Sequence, residues 1–68
     1  MEQIPWKNNL KEIRKEKGLT QQQVAKLIGH KSNDQISHWE KGRLIPSLKN
    51  LLKLSRLYKT SIEELISK

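Results

Sequence analysis

Asn33, Asp34, Ser37, His38 and Lys41 recur at spacings that gather them on one face of a helix. Asn can bond bidentately to adenine, Asp can accept from cytosine, and Ser and His can donate or accept. The set suits base edges in the major groove of duplex DNA. Lys31, Lys41 and Arg43 flank it and suit phosphate oxygens, which fix orientation rather than sequence. A merely solvated face would carry similar residue types, so the weight falls on the frame around them. Ile36, Trp39 and Glu40 share the opposite face, turned inward, and Trp39 reads as core rather than as a stacking platform.

Other chemistries find little here. His30 and His38 stand eight apart, with no cysteine in the chain and few carboxylates in register, so no metal site is expected. No Ser–His–Asp arrangement, phosphate loop or paired-carboxylate site is visible, and a domain this small has little room for a pocket. The expectation is no enzyme, no cofactor and no metal.

The elements that must position the polar face are legible in the start and stop signals. Thr20 with Gln23, and Ser32 with Gln35, each form the pattern of a capping box. They predict a helix from Thr20 to Ile28, broken by Gly29, and another from about Ser32 to Lys41, closed by Gly42 in a left-handed cap. The turn between them is too short for antiparallel packing, so the two helices must cross steeply. Val24, Ala25 and Ile28 form the inward face of the earlier one.

Upstream, Trp6, Leu10 and Ile13 fall on one stripe and predict a first helix over about 6–17, ended by Gly18, with residues 1–5 a flexible tail and Trp6 a cover over that end of the core. Downstream, Leu44, Ile45 and Pro46 form a linker. Ser47 caps a fourth helix whose wide apolar face carries Leu48, Leu51, Leu52, Leu54 and Leu57. Ser61 with Glu64 is a third capping box, opening a fifth helix at about Ile62. No strand alternation, repeat or low-complexity segment interrupts this, which makes the chain a single all-α domain.

Sixty-eight residues bury only a thin core. The formal net charge is +7, and of the basic residues only Lys68 lies beyond Lys59, so the positive charge belongs to the body of the domain. Nucleic acid is the commonest partner for such a balance, an anionic membrane the next. The membrane-surface alternative fails because the apolar faces are needed for the core. No apolar run approaches the ~18 residues of a membrane span, and nothing at the N-terminus resembles a signal peptide. A cytoplasmic, nucleoid-associated protein is expected.

Gly18-Leu19-Thr20-Gln21, then Val24-Ala25, Ile28-Gly29, Ile36-Ser37, Trp39-Glu40, Gly42 and Pro46-Ser47-Leu48 together resemble the phage Cro/repressor-type, or xenobiotic-response-element, helix-turn-helix family. The resemblance covers residues 8 to 66, and the joint spacing is specific where any one piece is weak. It implies a compact five-helix, lambda-repressor-like domain that binds double-stranded operator DNA, usually as a homodimer. By the match, Asn33, Asp34 and His38, with Ser37 near, contact bases. Gln21 touches phosphate alongside Lys31, Lys41 and Arg43. Arg14 and Glu40 form an interhelical salt bridge that sets the angle of the reading helix. Lys11, Lys15 and Lys17 read as solvated charges.

Two departures stand out. Six residues separate Gly29 from Ile36, one more than the family usually has, so an extra residue falls in the turn or at the start of the third helix. Lys59 stands where the family often has Gly after the fourth helix. The apolar fifth helix and the end of the fourth (Tyr58, Ile62, Leu65 and Ile66) offer a dimer surface, since one short helix cannot bury all of its apolar residues in so small a core. The expected function is a transcriptional regulator, a repressor at a pseudo-palindromic operator. The alternative is a protein-interaction module of a toxin–antitoxin or antirepressor system, which would expose apolar anchors on the third helix where this chain exposes polar groups.

Overall fold

The computed structural model describes residues 6–66; the expected tail at 1–5 lies outside them. Five helices follow in order: α1 (Leu10–Glu16), α2 (Gln21–Leu27), α3 (Asp34–Glu40), α4 (Leu48–Tyr58) and α5 (Ile62–Ile66). The described residues include no strand.

Helix α1 is shorter than its apolar stripe predicts. Residues 6–9 give their hydrogen bonds to distant parts of the chain instead. The Trp6 amide donates to the Gly42 carbonyl (3.1 Å) and the Asn9 amide to the Leu65 carbonyl (2.8 Å). The Trp6 indole N–H donates to the Leu44 carbonyl (2.7 Å). Asn8 is buried, accepting from the Leu10 amide (3.0 Å) and donating to the Trp39 carbonyl (3.0 Å). These bonds tie residues 6–9 to other elements, and α1 starts at Leu10.

The Thr20 capping box forms as expected. The Thr20 hydroxyl accepts from the Gln23 amide (3.1 Å), and the Gln23 side-chain oxygen accepts from the Thr20 amide (2.8 Å). Val24, Ala25 and Ile28 are buried. At the other end of α2 the Lys53 ammonium donates to the free Ile28 carbonyl (3.1 Å). The second expected box does not form. Helix α3 begins at Asp34, two residues later than predicted, with Asn33 in the cap position making no side-chain cap bond. The Ser32 hydroxyl reaches only the Asp34 amide (3.4 Å). The extra residue between Gly29 and Ile36 thus lengthens the turn.

Ser47 caps α4 by accepting from the Asn50 amide (3.2 Å). The apolar face of α4 is only partly enclosed: Leu54 is buried, Leu51 and Leu57 are half-buried, and Leu48 and Leu52 face solvent. Lys59 closes the helix in the left-handed conformation, at φ 53° and ψ 45°. Ser61 accepts from the Glu64 amide (3.1 Å), but the Glu64 carboxylate returns to the Ser61 hydroxyl (3.4 Å) rather than to the backbone.

The core lies between all five helices and comprises Leu10, Val24, Ala25, Ile28, Ile36, Trp39, Leu54, Tyr58 and Leu65. Trp6 packs against it, as the cover the sequence suggests. Tyr58 and Leu65, expected on a dimer surface, are 1% and 0% exposed. Burying a side chain such as Leu65 stabilises the fold by roughly 1.5–3 kcal/mol. A core this thin takes the large residues at the α4–α5 corner for itself. Of the expected dimer residues only Ile62, half-buried, and Ile66, exposed, reach the surface.

Candidate nucleic-acid interface

Helix α3 is held from behind by apolar packing and by one charged pair. Ile36 and Trp39 are buried, and the His30 ring meets Trp39 edge-on with centroids 5.6 Å apart. His30 therefore serves the core edge. The Glu40 side chain is also enclosed and meets Arg14 through two parallel bonds, Nε to Oε2 at 2.6 Å and Nη2 to Oε1 at 3.1 Å. The third Arg14 nitrogen donates to the Leu19 carbonyl (2.8 Å). The Gln21 side chain, at the start of α2, donates to Glu40 Oε1 (3.0 Å). One carboxylate thus ties α3 to α1 and to the beginning of α2. Its hydrogen bond raises the Arg14 pKa above the ordinary range against the opposing effect of burial, so the guanidinium stays charged. Burial, with the nearby Glu40 charge adding, pushes the Tyr58 phenol up as well.

With its inner face fixed, α3 presents the opposite stripe outward. Asp34 and Lys41 are exposed; Ser37 and His38 are half-buried on the same stripe. Asn33 sits at the mouth of the helix, half-buried, its carbonyl accepting from the Ser37 amide (3.0 Å). Lys31 and Arg43 are exposed at either end. The reversal at Gly42, φ 77°, brings the Arg43 amide onto the His38 carbonyl (2.9 Å), so the basic residues after α3 stay beside it. Gln21 stands apart from this stripe, with its amide engaged by Glu40.

Gln35 was missed by the sequence pattern, which assigned it to capping. Because the Ser32 box does not form, Gln35 is exposed in the first turn of α3, and its side chain has no hydrogen bond among the described residues. Its placement two residues into the helix, beside Asp34, is the signal that could have found it. Among the described residues no cluster of His, Asp and Glu gathers as metal ligands would. No described helix is long and apolar enough to cross a membrane.

A short helix set at the end of a tight turn, buried on one face and polar on the other, defines a helix-turn-helix domain. The helix-turn-helix family model matches residues 10–65, and the chain belongs to that family, in its Cro/repressor-type branch of transcriptional regulators rather than to a family of enzymes. The solved P22 c2 repressor, in complex with a synthetic operator, superposes with a TM-score of 0.79 at 32% identity over 87% of this chain and 88% of that one. The restriction-modification controller protein C.AhdI of Aeromonas hydrophila gives 0.73 at 34% identity, covering 82% and 83%. The HTH-type transcriptional activator BcrR of Enterococcus faecalis is 34% identical over 64 residues. The match takes in 94% of this chain but only 31% of that activator's length.

Proposed function

We propose that this domain is a sequence-specific reader of duplex DNA that regulates transcription from a pseudo-palindromic operator, α3 lying in the major groove and two copies acting as a homodimer. The observation that carries this is the division of α3: one face locked by Ile36, Trp39 and the Arg14–Glu40 pair, the other a stripe of polar side chains. Asn33, Asp34, Ser37 and His38, now with Gln35, would meet base edges. Gln21, Lys31, Lys41 and Arg43 would meet phosphates. The dimer would form through exposed apolar residues: Ile66 with half-buried Ile62 on α5, and Leu44, Ile45, Leu48 and Leu52 on the α3–α4 linker and the first half of α4. A cytoplasmic location at the nucleoid follows from this role.

Selection from random duplex DNA tests it. The expected result is an enriched site with two related halves. His38→Ala and Gln35→Ala should each relax discrimination at particular base pairs, by roughly 1–3 kcal/mol where the contact is bidentate. A bound pool as random as the starting one would overturn the proposal.

A further inference from the structure

We infer that this domain carries a further self-contact, in which Leu27 of one copy docks into an acidic hollow between α1 and α5 of another. It does not depend on the DNA-binding role proposed above. Leu27 is the last residue of α2 and is 61% exposed. It lines a groove with half-buried Leu57 of α4, and Lys26, Lys53 and Arg56 stand around the two leucines. Among the described residues no acid lines this groove. Lys53 spends one donor on the Ile28 carbonyl (3.1 Å), and Lys26 and Arg56 are exposed. A single exposed leucine needs no explanation. One ringed by three unopposed cations fits an apolar partner rimmed by carboxylates.

The chain carries such a partner on its own surface. Among the described acids, Glu40 is enclosed and Asp34 opens α3; Glu12, Glu16, Glu63 and Glu64 all lie exposed on α1 or α5. Glu12, Glu16 and Glu64 line one hollow, with Asn9 and half-buried Ile13. Glu12 and Glu16 stand four apart on one helix face, a like-charge spacing that disfavours the helix and that an outside cation relieves. Leu27 over Ile13, with Lys26 and Arg56 against the glutamates, matches apolar to apolar and cation to carboxylate. The contact is separate from the apolar one proposed above. At roughly 3.6 residues per turn, Leu57 lies about 180° around α4 from Leu48, so the two edges face different ways. Two distinct contacts per copy let the protein assemble beyond a dimer. Each copy carries a net charge of +7, and that long-range repulsion keeps the contact weak in the free protein. Salt at about 0.15 M screens repulsion beyond about 8 Å but leaves directly paired groups much less affected.

The test is NMR of the free protein in a dilution series at about 0.15 M salt, spanning a dissociation constant of roughly 1 mM. The amide signals of Lys26, Leu27 and Leu57 and those of Ile13, Glu16 and Glu64 should move together as the concentration rises. Arg56→Glu and Glu16→Lys each set like charge against like and should weaken the contact by about tenfold or more, holding both sets of signals still. An equimolar mixture of the two variants faces each reversed group with its opposite and should restore the movement in both sets. Both positions are exposed, so thermal denaturation should find both variants folded. Movement confined to Leu44, Ile45, Leu48 and Leu52, or no movement at all, would overturn the inference. So would single variants that move as the wild type does, or a mixture that stays still. Groove signals that move only when a glutamate-rich peptide is added would assign the groove to a foreign acidic partner and overturn the self-contact.

Discussion

Glu40 shows how a charge can be kept inside a thin core. Its two oxygens accept three bonds, from Arg14 twice and from Gln21. Such a pair adds little stability over an apolar replacement, but removing one member leaves the other buried and alone, which costs several kcal/mol. Its worth lies in fixing an angle. Tyr58 lies beside the same pair and reports on it. Burial and the Glu40 charge disfavour the phenolate, so the folded pKa stands above the ordinary value near 10. The sign follows from linkage: with the folded value raised, Tyr58 contributes its full stability below pH ~10, and that contribution is lost as pH rises beyond it, where the unfolded chain ionises first. Tyr58 is the only tyrosine, so the phenolate band in the ultraviolet spectrum follows it alone. The phenolate signal should stay flat through pH ~10 and appear only as the fold is lost. Ionisation of the folded protein near the ordinary value would show that the phenol is not enclosed as described.

Among the elements, α4 ends under backbone strain. Lys59 takes the left-handed conformation at φ 53°, which favours glycine because a Cβ crowds the following carbonyl. Lys59→Gly should stabilise the domain by about 1 kcal/mol, read from chemical denaturation, while Lys59→Ala should not. Equal gains from both would assign the effect to the lysine charge instead. This strain was visible in the sequence, as were the inward faces of α2 and α3 and the Arg14–Glu40 pair, because each follows from local spacing or from the family's motif. The start of α1 was not. Its residues are claimed by the Trp39 carbonyl, 31 positions from Asn8, and by the Glu64 carbonyl, 55 positions from Asn9, partners that no local pattern reveals. Nor was the start of α3. Ser32 and Gln35 fit a capping box in type and spacing, but a box closes only where the helix begins, and the longer turn moves that point to Asp34. The misplaced start also hid the exposure of Gln35, which is proposed above to meet base edges.

At the scale of the whole molecule the question is which apolar surface remains to be covered. The sequence placed the dimer contact at the α4–α5 corner, but Tyr58 and Leu65 belong to the core. What remains outside among the described residues is Leu27 on α2, Ile66 on α5 and, across the α3–α4 linker and the start of α4, Leu44, Ile45, Leu48 and Leu52, with Ile45 and Leu48 at 70% and 67% exposure. Several large apolar residues close together in the chain are the usual mark of an interface. The dimensions also suit a dimer. The domain measures 35 × 25 × 21 Å, so two copies side by side stand within reach of the ~34 Å that separates successive major-groove faces of one DNA turn. Leu48→Glu should therefore abolish cooperative binding to the two-part site, and Ile66→Glu should weaken it. Both positions are exposed, so both variants should melt like the wild type. Sedimentation of the complex with a single half-site and with the full site gives the stoichiometry directly. If Leu48→Glu and Ile66→Glu both dimerise on DNA as the wild type does, the contact lies elsewhere. If the wild type binds one half-site as a monomer with full affinity, the domain reads DNA alone and the palindrome is not required.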